Sequence, residues 1–212
     1  MDIVKQIADG LERGDHELVR ARVREAIECR VETATILEQG LVAGMNVVGE
    51  RFRNHLVFLP EVLLSARAMS AGMELLRPLL IRDAVPGRGK VVLGSVRGDL
   101  HDIGKNLVGI MLRGAGFDVV DLGHDVPPER FVETAEREQA QIIGLSALLT
   151  TTMSGMGEVV NLVERRECRG RIKIIVGGAP VSDAFAREIG ADAYGFDAAS
   201  AVERVQALIA AG

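Results

Sequence analysis

One short segment of this chain combines a histidine with two carboxylates on a glycine-bounded loop: residues 98–104 read GDLHDIG. A run of strand-forming residues ends just before it, and a helix is predicted to begin within it. An imidazole nitrogen can bind a metal, and a carboxylate two positions away can accept the proton of the other ring nitrogen. Taken alone, the segment is weak evidence, because a loop histidine more often makes ordinary hydrogen bonds.

The composition is that of a globular protein that does not bind polyanions. The 212 residues carry a net charge of -5, and 48% of them are hydrophobic. An acidic chain without Trp and with a single Tyr offers neither a basic face nor stacking platforms, so nucleic acid and anionic membrane are not expected partners. The two cysteines form no pair motif, no leader is evident, and no apolar run approaches membrane length. These features favour a cytoplasmic location.

The first part of the chain has helical periodicity throughout. Asp15 is a candidate helix N-cap, and Pro60 stands where a first-turn proline is expected. The clearest apolar stripe alternates steps of four and three residues and consists of Val62, Ala66, Met69, Met73, Leu76 and Leu80. The pattern predicts a four-helix bundle over residues 1–82. Without further information, such a bundle is typical of a dimerisation or scaffold module.

After residues 83–89, which have the composition of a linker, the periodicity changes to alternating strands and helices. Five short apolar runs, each followed by a helical pattern, predict a parallel sheet over residues 90–212 with helices on both faces. The predicted strands are residues 91–96, 119–122, 142–145, 172–176 and 193–196. The economical topology is flavodoxin-like, with strand order 2-1-3-4-5.

In that topology ligands bind at the carboxyl ends of strands 1 and 3, where the strand order reverses. The loop after strand 1 is the Asp-x-His segment, and the loop after strand 3 is rich in hydroxyls. A flavodoxin needs a phosphate-binding run of Ser, Thr and Gly after strand 1, which is missing here. A response regulator needs a phosphoacceptor aspartate at the end of strand 3, where this chain has Ser146. Neither interpretation is favoured.

Three short motifs share one register along the second half of the chain. Asp99-x-His101-x-x-Gly104 is followed after 41 residues by Ser146-x-Leu148, and after 28 more by Gly177-Gly178. This pattern resembles the cobalamin-binding signature of methionine synthase, of corrinoid proteins in methyl-transfer systems and of some B12-dependent mutases. The three motifs at these separations are specific, whereas the first motif alone is not.

The first half strengthens the resemblance. Residues 44–52, GMNVVGERF, and residues 58–62, FLPEV, resemble the helical cap of methionine synthase and of free-standing corrinoid proteins. Small mutase subunits lack this cap. The resemblance therefore covers essentially the whole chain.

The resemblance implies a role for each matching residue. His101 would be the lower axial ligand of the cobalt in cobalamin or a related corrinoid, such as methylcobalamin. Asp99 and Thr152 would form the proton relay behind it, with Thr152 standing where methionine synthase has a serine. The implied cofactor-binding residues are Gly98, Leu100, Asp102, Ile103, Gly104, Ser146, Leu148, Thr150, Gly177, Gly178 and Ala198. The implied cap residues above the cofactor are Glu38, Phe52, Leu59 and Val62.

The function that the resemblance implies is a corrinoid methyl carrier without catalytic activity of its own. It would shuttle a methyl group from a substrate-specific corrinoid methyltransferase to an acceptor methyltransferase that uses tetrahydrofolate or a thiol, with a reductive activase as a further partner. The alternatives are a B12-dependent sensor, disfavoured because the chain has no room for a DNA-binding segment, and a mutase small subunit, disfavoured by the cap. The methyl donor stays open among methanol, methylamines, betaines and aryl methyl ethers.

Overall fold

The structure is a computed structural model that describes residues 2–83, 85 and 87–211. The chain divides into two compact units: a helical unit, residues 1–87 with 113–116, and a sheet unit, residues 88–112 with 117–212. Ala84 and Pro86 of the predicted linker lie outside the described residues. The predicted domain limits, 1–82 and 90–212, stay a prediction. Among the described residues, no helix is both long and apolar enough to cross a bilayer.

Helices begin where the sequence supplies a cap. Asp2 accepts a hydrogen bond from Val4 N at 3.0 Å, and Asp15 accepts one from Leu18 N at 3.0 Å, as expected for N-cap carboxylates. The helical segments of the first unit are α1 (Ile3–Glu12), α2 (His16–Glu28), α3 (Thr33–Thr35), a π-helix (Ile36–Val42), α4 (Ala43–Arg53) and α5 (Leu59–Arg82). Because α3, the π-helix and α4 follow one another directly, they form one continuous helix. The described segments of this unit therefore form four helices. The predicted four-helix region is therefore confirmed.

The core of the helical unit consists of the apolar stripes that gave its helices their periodicity. Its fully buried side chains include Ile7, Leu11, Val19, Val23, Ile36, Leu41, Val62 and Leu76. Each such side chain contributes about 1.5–3 kcal/mol of transfer free energy relative to an exposed one. Gly44 permits close packing of α1, because a Cβ at this position would lie 2.8 Å from the carbonyl oxygen of Ala8.

The sheet unit has five parallel strands in the order β2-β1-β3-β4-β5, as predicted. The strands are β1 (Lys90–Ser95), β2 (Asp118–Asp121), β3 (Ile142–Ser146), β4 (Lys173–Gly177) and β5 (Ala193–Gly195). The helices of this part of the chain are α6 (Ile103–Gly114), α7 (Pro128–Arg137), α8 (Ser154–Arg165), α9 (Asp183–Glu188) and α10 (Ala198–Ala210). Most core strand positions are buried, because a doubly covered parallel sheet has no solvent face.

The strand register brings the carboxyl ends of four strands to one edge. Ser95 pairs with Ser146, Ser146 with Gly177, and Gly177 with Gly195. The loops that leave these residues are therefore neighbours at the edge where α/β sheets bind ligands. We call this the carboxyl edge of the sheet.

Candidate functional site

The loop after β1 turns sharply before it reaches the histidine. Val96 N donates to the carbonyl of Ser146 at 3.0 Å, and Asp99 N donates back to the carbonyl of Val96 at 3.0 Å. Gly98 completes the turn with φ +82°, a left-handed conformation that glycine adopts without steric cost. The turn directs the next residue, Asp99, into the protein.

Asp99 is the centre of the hydrogen bonding at this edge, and it is completely buried. Its Oδ1 accepts from the backbone N of His101 at 3.1 Å and lies 2.9 Å from His101 Nδ1. Its Oδ2 accepts from the backbone N of Leu148 at 2.7 Å and of Leu149 at 3.2 Å, and from the Thr152 hydroxyl at 2.7 Å. One carboxylate therefore joins the loop after β1 to the loop after β3.

These contacts keep Asp99 ionised. Burial by itself would raise the pKa of this carboxyl, but hydrogen bonds from Leu148, Thr152 and His101 outweigh it and hold the pKa well below its usual range. Thr152 Oγ1 also lies 2.9 Å from the carbonyl of Leu149, within its own turn. Because the carboxylate has no proton to give, the hydroxyl of Thr152 acts as a donor toward it.

His101 is oriented by this carboxylate and still open to solvent. Its side chain is 51% exposed, whereas that of Asp99 is 0% exposed. With Nδ1–H directed to the carboxylate, the neutral imidazole has its lone pair on Nε2. The arrangement is that of a metal-binding histidine whose tautomer is fixed by a carboxylate behind it.

Apolar side chains stand exposed around the same edge. Leu100 is 66% exposed, Ile103 77% and Leu148 44%, and all three are among the cofactor-binding residues that the sequence predicted. Leu149 and Phe196 are also exposed, the latter at 80%, and the sequence reasoning did not single them out. An exposed apolar rim around a polar centre is typical of a ligand-binding surface.

The other glycines of the predicted site fall into two groups. A Cβ on Gly178 would lie 1.8 Å from the carbonyl oxygen of Ala147, and one on Gly177 would lie 3.0 Å from that of Gly195, so the fold itself requires glycine at 178 and leaves little room at 177. At Gly104 a Cβ would meet no described atom within 4 Å outside its own helical turn. The start of α6 is therefore open, whereas the loop after β4 is closely packed.

The remaining predicted residues of the sheet unit lie at the same edge without a described side-chain contact to His101. Ser146 ends β3 and is half-buried, Thr150 is exposed in the following turn, and Asp102 is half-buried just before α6. Ala198 is buried at the start of α10. Their contacts to a cofactor stay a prediction.

The predicted cap residues belong to the helical unit. Glu38 lies in the π-helix and Phe52 near the end of α4, and both are half-buried. Leu59 begins α5 and is 37% exposed, whereas Val62 is 0% exposed. Their role above a cofactor also stays a prediction.

Two residues that hold the loop after β1 were missed, and so was one that ties the first turn of α6 to the end of β2. Ser95 donates its hydroxyl to the carbonyl of His101 at 2.6 Å, and Asp125 accepts from Gly98 N at 2.7 Å. Lys105, in the first turn of α6, has a side chain that is 1% exposed and binds both carboxylate oxygens of Asp121 at 2.7 Å. The available sequence signal was a serine at the end of the apolar run of β1, and it does not reveal its partner. The burial of Lys105 is visible only in the structure.

Comparison with known proteins assigns this chain to a family. Residues 89–205 match the family model described as B12 binding domain, and residues 3–77 match a second model of the same description. The dimethylamine corrinoid protein 2 of Methanosarcina mazei is 42% identical over 209 residues, which cover 98% of this chain and 97% of the relative. This chain belongs to the B12-binding corrinoid proteins.

Two further relatives support the same assignment of this corrinoid protein. The trimethylamine corrinoid protein 1 of Methanosarcina mazei is 41% identical over 210 residues, covering 98% of this chain and 97% of the relative. The crystal structure of the methanol:cobalamin methyltransferase complex MtaBC from Methanosarcina barkeri matches with a TM-score of 0.88 and 33% identity. That match covers 99% of this chain and 80% of the other.

The carboxyl edge of this corrinoid protein has features that fit a corrinoid. The group needs a nitrogen donor for its cobalt, and His101 offers Nε2 on a half-exposed ring. It also needs room and apolar surface for a broad macrocycle, which the open position at Gly104 and the exposed Leu100 and Ile103 provide. A tetrapyrrole-sized ligand is therefore compatible with the donor, the space and the polarity at this edge.

Proposed function

We propose that this protein carries a methyl group on the cobalt of a bound corrinoid and passes it between two methyltransferases. When bound, the corrinoid supplies a metal that can accept and release a methyl group. The observation that carries the proposal is the geometry of His101, whose Nδ1 lies 2.9 Å from the buried Asp99 carboxylate while Nε2 is left available. A histidine oriented in this way could hold the metal of such a carrier.

The protein's own residues hold and orient in this proposal. His101 would bind the cobalt, and Asp99, held by Leu148 and Thr152, would keep the imidazole in the tautomer that leaves Nε2 unprotonated. The residues proposed to contact the cofactor are Gly98, Leu100, Asp102, Ile103, Gly104, Ser146, Leu148, Thr150, Gly177, Gly178 and Ala198. The residues proposed to lie above the cofactor are Glu38, Phe52, Leu59 and Val62.

The partners are proposed from the relatives. The methanol:cobalamin methyltransferase complex supports a substrate-specific methyltransferase as the methyl donor. An acceptor methyltransferase and a reductive activase are proposed as further partners. Relatives named for dimethylamine and for trimethylamine are 42% and 41% identical to this chain. Identity to the carrier therefore does not separate these donors, in agreement with selectivity residing in the partner enzyme.

The ligand assignment is tested by electron paramagnetic resonance of the protein loaded with cob(II)alamin. The protein is prepared with ordinary histidine and with ring-¹⁵N histidine. An axial protein imidazole splits each cobalt line into a triplet that becomes a doublet on labelling, whereas the cofactor's own base keeps the triplet. We expect the doublet, and its loss in His101→Ala. His55→Ala, which changes an exposed histidine of the helical unit, is the matched control.

The carrier role is tested with methyltransferases that act on dimethylamine, trimethylamine or methanol, each mixed with the loaded, reduced protein. We expect at least one of them to methylate the bound cobalamin, which is monitored as a change in visible absorbance. An acceptor methyltransferase should then transfer this methyl group to a thiol. If no donor enzyme methylates a correctly loaded protein, the carrier role is wrong. Specific binding to DNA, or selective binding of adenosylcobalamin, would point instead to a sensor or a mutase subunit.

A further inference from the structure

Asp125, in the loop between β2 and α7, makes two hydrogen bonds to the loop that contains His101. Its carboxylate Oδ1 accepts from Gly98 N at 2.7 Å, and its own backbone N donates to the carbonyl of Asp99 at 3.0 Å. Asp125 and Gly98 are 27 positions apart in the sequence. A segment outside the cobalamin-binding motifs therefore holds Gly98 and Asp99, in the loop that contains His101.

The β2–α7 loop is itself fixed to β1. Ser95 N donates to the carbonyl of Gly123 at 3.0 Å, and Val126 N donates to the carbonyl of Ser95 at 3.0 Å. Val96 and Val126 form a parallel bridge beyond the end of β2. Asp125 thus projects from an extension of the sheet, which makes it a rigid support.

Asp125 has a backbone conformation that few residues accept. Its φ is +53°, and Asp and Asn are among the non-glycine residues that tolerate this left-handed region. In this conformation the residue directs both its N–H and its carboxylate to the same neighbouring turn. The conformation is the reason why one residue can make both bonds.

The bonds of Asp125 complete a set of hydrogen bonds that fixes the backbone at His101 and before it. Gly98 N and the Asp99 carbonyl are held by Asp125, His101 N by the Asp99 carboxylate, and the His101 carbonyl by the Ser95 hydroxyl. A metal ligand must be held to within about 0.5 Å by its supporting residues to bind productively. The imidazole is therefore placed by its backbone as well as by Asp99.

We propose that Asp125 is a positioning residue for the axial histidine: it sets the geometry of residues 98–99 and so the strength of the bond from His101 to cobalt. The inference rests on the proposed role of His101 as the axial ligand. Loss of one hydrogen bond to a carboxylate is expected to lower the equilibrium constant for this loop conformation by a factor of about 10.

Three variants separate the carboxylate from the backbone conformation. Asp125→Gly keeps the left-handed φ and removes the acceptor for Gly98 N, whereas Asp125→Asn keeps a side-chain oxygen as acceptor. His124→Ala changes the exposed preceding residue and is the matched control. Circular dichroism and thermal unfolding of the cofactor-free proteins verify that all variants fold.

Two measurements then test the proposal. In the cofactor-free protein, hydrogen exchange of the Gly98 amide is expected to be about 10-fold faster in Asp125→Gly and near wild type in Asp125→Asn and His124→Ala. In protein loaded with cob(II)alamin, added free imidazole competes with the ring-¹⁵N-labelled histidine for cobalt. The doublet is expected to disappear at about 10-fold lower imidazole in Asp125→Gly, with rescue in Asp125→Asn.

The outcomes for this proposal and for the ligand assignment are distinct. If Asp125→Gly matches the wild type in exchange at Gly98 and in imidazole competition, the positioning role is wrong while His101 remains the ligand. If Asp125→Asn behaves like Asp125→Gly, the side-chain acceptor is not the cause and the role is also wrong. If the wild type shows no protein imidazole on cobalt, the ligand assignment fails together with the inference built on it.

Discussion

In the sheet unit, the predicted site residues are held by polar contacts: the buried Asp99 accepts from two loops and fixes the ring of His101. In the helical unit, the segment before and at the start of α5 exposes apolar side chains instead. We call this the apolar segment; Leu56, Phe58, Leu59, Leu63 and Leu64 are between 37% and 72% exposed. Apart from backbone hydrogen bonds, its described polar support is the bond from Phe58 N to the Glu61 carboxylate at 3.1 Å, which caps α5.

The difference separates two ways of preparing a surface for a ligand. A donor atom must be aimed, so its neighbours are tied by directional hydrogen bonds that are complete in the cofactor-free protein. An apolar contact surface needs only shape and dryness, so it can stand exposed until it is covered. Mutations should therefore reduce stability strongly at the carboxyl edge and only weakly in the apolar segment.

The largest effect is expected for Asp99→Ala. The change leaves the amides of Leu148, Leu149 and His101 without this acceptor. The hydroxyl of Thr152 keeps the carbonyl of Leu149 as an acceptor. Each donor left unsatisfied costs about 1–3 kcal/mol. We expect a loss of at least about 3 kcal/mol in the free energy of unfolding, measured with urea on the cofactor-free protein. Asp102→Ala, at the half-buried neighbour, is the control and should lose less than about 1 kcal/mol.

Thiol labelling can assign that loss to a unit. Cys168 is buried in the sheet unit, and burial raises the pKa of its thiol, whereas Cys29 is exposed in the helical unit. Asp99→Ala should accelerate the modification of Cys168 and leave Cys29 unchanged. Equal rates for Cys168 in both proteins would show that Asp99 does not stabilise the sheet unit.

A smaller loss is expected for Lys105→Ala. The lysine side chain is 1% exposed and binds the Asp121 carboxylate, which is 29% exposed. Removing one partner of a fully buried pair costs about 3–5 kcal/mol, and the partial exposure of Asp121 reduces our expectation to about 2 kcal/mol. Arg20→Ala breaks the exposed pair with Glu74 and should cost at most about 0.5 kcal/mol in the same urea assay. Similar losses for Lys105→Ala and Arg20→Ala would show that the buried ion pair stabilises the protein no more than the exposed pair does.

Val62→Ala tests the helical unit's core beside the apolar segment. Val62 is fully buried, and its role above a cofactor stays a prediction. Removing two buried methyl groups should cost about 1.5 kcal/mol in the cofactor-free protein. A value near zero, measured by thermal and urea unfolding, would mean that Val62 does not contribute to the core.

The smallest effect is expected for Leu63→Ser, on the exposed face of α5. Leu63 is 45% exposed, and surface substitutions are usually within about 0.5 kcal/mol of the wild type. Unfolding of Leu63→Ser and Val62→Ala under the same conditions compares adjacent positions with the same method. A loss for Leu63→Ser as large as that for Val62→Ala would show that the apolar segment is structural.

Much of this fold could be predicted because its signals are local. The apolar runs predicted the limits of β1 to β5 within one residue at every end. The signal is strong for β1, β3 and β4, because a strand buried on both faces must be apolar along its length. The pair of Asp99 and His101 was also predictable, because the two residues are two positions apart on one loop. The π-helix was not, since its residues have the same apolar spacing as a longer α-helix.

The sequence by itself determined the fold class, the strand order expected from its βα units, the family and the candidate metal ligand. These follow from periodicity and from motifs that are short in sequence. Only the tertiary structure decided what holds that ligand: Ser95 and Asp125 support the loop, Lys105 pairs with Asp121, and Gly178 is required by the carbonyl of Ala147. Ser95 and its partner His101 are six positions apart, but Asp125 and Lys105 lie 27 and 16 positions from their partners. Such distant partners meet only through the tertiary fold, which residue types alone do not specify.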